Sequence, residues 1–327
     1  MRYLKIKTLA ILVCLLNVLN CKENKPNTVN SQKIVSLKNR FEANFFIEAA
    51  INKGIIEGKD SLSLSLIKKE YNTITPENDL KWEQIHPKKD TFYFDIADKY
   101  VAFGEKIDAN IVGHTLVWHS QLAPWMHEDM DSLEMFSHIK NHINTIVSRY
   151  KGRIDTWDVV NEALNEDGSL RASLFLKTIG ETYIEQAFKL AAEADPEALL
   201  VYNDYNLWKP KKRAGVVRLV KQLQSKGIKI DGVGLQAHYS LLGPTIEDIE
   251  NSIIAFSELG IKVMITELDV TALPNPWDLN GAAVEQSYER FEGDPKMNPY
   301  PVKLTDSAQI NPTLSTDKIL SFSPKKF

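Results

Sequence analysis

The 327-residue chain has only two cysteines, Cys14 and Cys21, both within its first 21 residues. Everything after them is expected to fold without a disulfide, a zinc–thiolate site or a cysteine nucleophile. Charge of one sign is equally scarce. Thirty-nine lysines and arginines against 43 aspartates and glutamates give a net charge of −4. No strongly basic block stands out, so a nucleic-acid footprint is not supported and a neutral or weakly charged partner suits the balance. The N-terminal apolar run at 9–19, LAILVCLLNVL, falls short of the roughly 20 residues a spanning helix needs. No G-x-G-x-x-G follows the first strand candidate, so a dinucleotide-binding sheet loses its main support.

What is present begins with a leader. Arg2, Lys5 and Lys7 precede the apolar run, which stops at Asn20-Cys21. A basic region followed by a short apolar one is the pattern of a signal peptide. Ending at a cysteine resembles bacterial lipoproteins, whose cysteine is lipidated after cleavage, although Asn20 is an unusual neighbour for it. Cys21 is thus the expected lipid attachment, and plain secretion is the alternative. The expected organisation is a signal segment at 1–21, a polar tether at 22–39, a barrel at 40–310 and a divergent tail at 311–327. The expected location is outside the cytoplasm, held on a membrane at the periplasmic or cell surface, or else secreted.

Past the tether, apolar runs alternate with amphipathic ones. Strands are expected at 45–51, 71–77, 110–118, 154–160, 199–204, 231–238 and 262–268. Helices are expected at 96–108, 132–150, 180–194, 211–226 and 245–259. In the third helix Ile184, Ala187, Phe188 and Ala191 form an i, i+3, i+4, i+7 stripe. Gly227 and Gly260 stand where left-handed helix caps belong. Thr245 with Asp248 forms a capping-box pair. Strand, helix, strand in repetition means parallel strands with crossover helices. Seven such strands point to a TIM-type (β/α)8 barrel, with the eighth strand unaccounted for.

Sites in such barrels are built at the C-terminal strand ends. Those ends carry Glu77-Asn78, His114 with Trp118 and His119, Asn161-Glu162, Asn203-Asp204-Tyr205, Gln236 with His238, and Glu267 with Asp269. Any one of these alone is an ordinary loop residue; six together make coincidence the weaker reading. Two carboxylates flanking one bond are what glycoside hydrolysis requires, one protonating the leaving oxygen and the other attacking or activating water. Glu162 and Glu267 are the candidate pair. His238, bridging Glu267 and Asp269, would keep Glu267 ionised. Trp82, Trp118, Trp125 and Tyr205 offer flat faces for sugar rings. Trp157, inside its strand, reads as core, and His86, His138 and His142 as structural or surface. Glu166 reads as solvent-facing.

The segments TPENDLKWEQIHP, GHTLVWHSQLAPWM, WDVVNEAL, YNDYN, GVGLQAHY and ITELDV, in this order, resemble the family-10 glycoside hydrolases, the retaining endo-1,4-β-xylanases. The resemblance runs from about residue 41 to about residue 309. It implies a TIM barrel with a β-1,4-xylan chain across its mouth, and no metal or cofactor. It also implies Glu162 as acid/base and Glu267 as nucleophile. Glu77, Asn78 and Lys81 would bind the sugar two subsites from the cut. His114, Trp118, Asn161, Gln236 and His238 would line the cut, with Gln121 nearby, and Tyr205 would face the leaving group. In the family, an eighth strand, two lid tryptophans and a closing helix follow the seventh strand. Here the last tryptophan is Trp277 and the chain ends on NPTLSTDKILSFSPKKF, so the eighth strand and last helix are expected to be missing. Residues 319–322 are a poor substitute strand. Two other readings stay open: a catalytically weak or inactive truncated xylan-binding lipoprotein, and a related β-glucan-cleaving barrel. A complementing chain for the missing strand is a further possibility.

Overall fold

A computed structural model describes residues 35–240 and 243–271 of the chain. The leader with Cys14 and Cys21, most of the expected tether, Trp277 and the region of the expected missing strand lie outside the described residues. The chain divides into two units, Met1–Ser36 and Leu37–Phe327. Val35 and Ser36, without regular structure, are the described residues of the first. The second opens on a short helix, Leu37–Phe41.

The strands of the second unit are β1 (Glu48–Ile51), β2 (Thr73–Pro76), β3 (Asn110–Gly113), β4 (Val117–Trp118) and β5 (Thr156–Asn161). They continue with β6 (Leu199–Asp204), β7 (Gly232–Leu235), β8 (His238–Ser240), β9 (Lys262–Ile265) and β10 (Asp269–Thr271). The main sheet runs β1-β2-β3-β5-β6-β7-β9, with β4 also on β5, and every pairing in it is parallel. Helices intervene between the paired strands. This is the strand order of a (β/α)8-type barrel, with seven barrel strands among the described residues.

The expected elements appear with small shifts. The five helices are Asp95–Lys106, Ser132–Arg149, Thr182–Ala194, Pro210–Ser225 and Ile246–Ser257. Thr245 and Asp248 form a reciprocal capping box. Gly227 and Gly260 have φ of +66° and +74°, the left-handed geometry glycine adopts without steric cost. Short helices at Lys53–Ile56, Ser61–Glu70, Trp82–Ile85 and Leu174–Ile179 carry no long apolar stripe, and periodicity does not find them. Two expected strands are broken, 110–118 into β3 and β4 and 231–238 between β7 and β8, and the expected strand 262–268 stops at Ile265, with β10 beginning beyond it at Asp269. Ala237, between β7 and β8, has φ of +60°, which no continuous strand tolerates.

Alternation of side chains separates the outside of the sheet from its interior. A Cβ on Gly104 of the helix outside β2 and β3 would meet Ile111 and Ile74, so both isoleucines face the helices. Glu48, Thr75, His114, Asp158, Asn203 and Thr266 belong to the other face. There, Thr75 donates to Glu48, His114 pairs with Asp158, and Thr266 donates to Asn203. Buried Tyr100 reaches past the isoleucines to place its hydroxyl 2.8 and 2.7 Å from the carbonyls of Ile74 and Val112. Trp157 is fully buried on the outer face of β5, as expected, and the space for its ring comes from Gly113.

A Cβ at position 113 would lie 2.2 Å from the Trp157 ring. Gly113→Ala is therefore expected to destabilise the fold by about 1–3 kcal/mol through overpacking. The midpoint of urea unfolding measures it, and an unchanged midpoint would contradict this packing.

Candidate active site

Parallel register brings distant carboxylates to one rim. Asn161 at the end of β5 pairs with Asn203 of β6, and Asp204 pairs with Leu235 of β7. Leu235 in turn pairs with Ile265, two residues before Glu267. The two strand extensions pair in parallel with His238 opposite Asp269.

Glu267 is held on both oxygens. Asn203 Nδ2 donates to Oε1 at 3.0 Å, and His238 Nε2 lies 3.2 Å from Oε2. The other ring nitrogen of His238, Nδ1, is 2.7 Å from Asp269 Oδ2, so the imidazole bridges two acids. Burial alone would raise the Glu267 pKa, but the His238 bond, the charges of His114 and His238 and the Asn203 bond outweigh it and hold the carboxyl below its ordinary value. His238 is pushed up to about 10, chiefly by its bonds to Asp269 and Glu267 against the opposing effect of burial.

Glu162 is held differently. It stands in a left-handed turn with φ of +55°, directly after β5, and is nearly buried. Four of the six described non-glycine residues with positive φ, Gln121, Glu162, Asn206 and Ala237, lie in the loops at this rim. Backbone in that region is costly for a residue with a Cβ and persists where surrounding contacts over-determine it. Gln236 Nε2 donates to Glu162 Oε1 at 3.1 Å and to Asn161 Oδ1 at 3.0 Å, so one amide aligns both neighbours. Asn161 thus spends its carbonyl on Gln236 and keeps its NH2 to offer. His119 Nδ1 is 3.9 Å from Glu162 Oε2, and burial lowers its pKa although Glu162 opposes the shift.

Lys81 feels the charge of both carboxylates. Its ammonium donates to Asn78 at 2.9 Å and sits 4.8 Å over the Trp118 ring. Burial lowers its pKa, while Glu267, Glu162, Asp158 and Glu77 all work to keep it charged. Trp118 itself is buried and His114 is anchored at 2.8 Å to Asp158. Glu77 remains exposed, and Gln121 is half-buried with its carbonyl accepting from the Glu83 N–H at 3.0 Å. Tyr205 is half-buried, its hydroxyl accepting from Arg171 at 2.6 Å.

The sequence profile of glycosyl hydrolase family 10 matches residues 36–294. The chain belongs to glycosyl hydrolase family 10. Endo-1,4-beta-xylanase A of Xylanibacter ruminicola is 40% identical to this family 10 chain over 289 residues, covering 87% of it and 78% of the relative. An endo-1,4-beta-xylanase of Geobacillus stearothermophilus is 42% identical over 272 residues, with 79% and 81% covered. Among solved structures, a family 10 endoxylanase from a sugarcane soil metagenome matches with TM-score 0.78 and 37% identity, over 88% of this chain and 82% of that one. Xylanase 10B of Thermotoga petrophila RKU-1, solved with xylobiose, gives 0.70 and 39%, over 72% and 73%.

One reading of this family 10 sequence needs correction. Trp82 is not a sugar platform: it is 2% exposed and stacks on His142 with ring centroids 3.6 Å apart. Trp125, half-buried, packs on Trp82, His86 and His138 and donates to the His86 carbonyl. His86 and His142 are fully buried with their Nδ1 atoms 3.3 Å apart, and burial lowers the pKa of His86 to about 4. Glu166 is exposed, as expected, and is also paired. Its carboxylate accepts from Lys209 at 2.5 Å and from Asn206 and Lys212 at 3.3 and 3.4 Å.

Sequence reasoning gave no role to Asn203, Arg171 or Glu48. Asn203 was visible at a strand end without a partner to give it a role. Arg171 donates Nε to the Glu162 carbonyl at 2.9 Å from nine residues away, a contact with no sequence signal. Glu48 did leave a signal, a carboxylate inside the apolar strand FFIEAAI; burial pushes its pKa up to about 7. Among the described residues, no group of three His, Cys, Asp or Glu side chains can hold a metal ion, and no helix is long and apolar enough to cross a membrane.

Because His238 is raised in the fold from 6.5 to about 10, its contribution to stability is fully present below pH 6.5 and is lost as pH rises through about 10. The stability gap between the native chain and His238→Phe should therefore narrow steadily over that range. Urea unfolding at several pH values measures it; a gap constant from pH 6.5 to 10 would refute the bridged imidazolium.

Proposed function

We propose that the chain hydrolyses internal β-1,4-xylosidic bonds of xylan with net retention, through Glu267 as nucleophile and Glu162 as acid/base. The observation that carries this is the unequal setting of the two carboxylates. Glu267 is anchored on both oxygens by a cationic imidazole and an amide, which favours the ionised form a nucleophile needs. Among the described residues Glu162 receives a neutral amide on Oε1 alone, so there Oε2 can carry a proton without breaking a bond. The names of the relatives support xylan as the substrate.

In the first step a Glu267 oxygen bonds to the anomeric carbon as the carbon–oxygen bond to the departing sugar breaks, and the Glu162 proton passes to that oxygen. In the second, a water oxygen replaces Glu267 at the same carbon, its proton returns to Glu162, and Glu267 leaves as carboxylate. Two inversions give retention. Asn161, whose NH2 is free of Gln236, is assigned to the hydroxyl beside the reacting carbon. Glu77, Asn78 and Lys81 are assigned to the sugar two subsites away on the non-reducing side. His114, Trp118, Gln121, Gln236 and His238 are assigned to the sugar at the cut, and Tyr205 to the leaving side. The same reading carries the leader, with export and lipid attachment at Cys21.

Glu267→Gln should abolish reducing-sugar release from xylan, and Glu162→Gln should lower it by about 10²–10⁴-fold. Proton NMR of early products should show the β-anomer first. Turnover that survives Glu267→Gln would overturn the assignment, and xylan binding without turnover in the native chain would mark a binding protein instead. Asn203→Ala removes a bond that stabilises ionised Glu267, so the acidic limb of kcat/KM against pH should move to higher pH; an unmoved limb would detach Asn203 from the nucleophile.

A further inference from the structure

Beneath the Glu162 turn lies a charged side chain that no proposed step uses. Lys212, on the helix Pro210–Ser225, is fully buried, as is its partner Asp204 at 2.9 Å. A buried ammonium survives only where its surroundings satisfy it, and removing one partner leaves an uncompensated charge. Lys212 is satisfied by Asp204, by Glu166 at 3.4 Å and by the face of Tyr205, whose ring centroid is 3.4 Å from the nitrogen.

Two arms leave this lysine and meet again. Along one, Asp204 Oδ2 accepts from the Tyr202 hydroxyl at 2.5 Å, and that hydroxyl accepts from the Ala163 N–H at 3.1 Å. Along the other, the Tyr205 ring rests on the ammonium, its backbone N–H donates to Asp204 Oδ1 at 2.8 Å, and its hydroxyl accepts from Arg171. Arg171 in turn donates Nε to the Glu162 carbonyl at 2.9 Å. The Glu162 carbonyl and the Ala163 N–H are the two ends of one peptide group. That group is therefore gripped at both ends from a single buried charge, while the Glu162 N–H donates to the Asn203 carbonyl at 2.9 Å. The grip falls on a residue whose left-handed backbone would otherwise relax.

We infer that Lys212 is a positioning residue for the acid/base: through Asp204–Tyr202 and Tyr205–Arg171 it clamps the 162–163 peptide and aims the Glu162 carboxyl at the leaving oxygen. This rests on the reading of Glu162 as acid/base. Lys212 touches neither carboxyl oxygen of Glu162, so its effect is on where the proton is delivered. Such an effect depends on how much the leaving group needs that proton.

The test compares kcat/KM of the full chain on xylohexaose, whose leaving alcohol needs protonation, with that on 2,4-dinitrophenyl β-xylobioside, whose leaving phenolate does not. Lys212→Met and Tyr202→Phe should each lose about 10²-fold on xylohexaose and no more than about twofold on the aryl substrate. Glu162→Gln, as reference, should show the same selectivity more strongly. Tyr202→Phe removes a single hydroxyl and decides the matter if Lys212→Met does not fold. Equal losses on both substrates in folded Tyr202→Phe, or no loss on either, would overturn the inference while leaving the role of Glu162 standing. A Glu162→Gln variant that itself loses both activities equally would bring down the acid/base reading and the inference with it.

Discussion

Parallel pairing of β5, β6, β7 and β9 is the constraint from which the rim follows. In a parallel sheet every strand ends on the same side, and a polar residue placed just past each end needs no long loop to meet the others. Asn161, Asn203, Gln236 and Glu267 come together because their strands are in register, not because their own contacts draw them. A one-residue slip of β6 would turn Asn203 outward and leave one oxygen of Glu267 without its amide.

The second theme is how much polarity the interior accepts. Barrel cores are commonly filled with branched apolar side chains. Here the layer beneath the rim holds Glu48, Thr75, His114, Asp158, Asn203 and Thr266, joined by side-chain hydrogen bonds. Such a layer is tolerable in a low dielectric only when its members satisfy one another. Its benefit is electrostatic: burial raises the pKa of Asp158 and works the same way on Glu267, and the charge of His114 opposes it at both.

Much of this was legible from residues alone, for identifiable reasons. Strand ends and helix caps announce themselves locally, so Glu162, Glu267, the Thr245–Asp248 box and Gly260 needed no partner to be found. The His238 bridge was legible because its three members fall on neighbouring strand ends. What failed was anything decided by a distant neighbour. Trp82 has the chemistry of a sugar platform, and only the stacking of His142 from another helix shows it to be core. Glu166 reads correctly as an exposed loop acid, but nothing local announces its pairing with Lys209 and Lys212 from the next βα unit. Arg171 reaches Glu162 by folding back along its own loop, which no periodicity records.

Gly234 illustrates how a vacancy can be structural. It lies inside β7, where glycine weakens a strand, yet a Cβ there would come within 2.3 Å of Asn203 Oδ1 and 2.9 Å of Thr266 Cγ2. The missing side chain is the room in which the amide that holds Glu267 stands. In the language of mutational tolerance, position 234 is constrained by the setting of Glu267 without touching it. A residue absent by chemistry is thereby as constrained as one present for it.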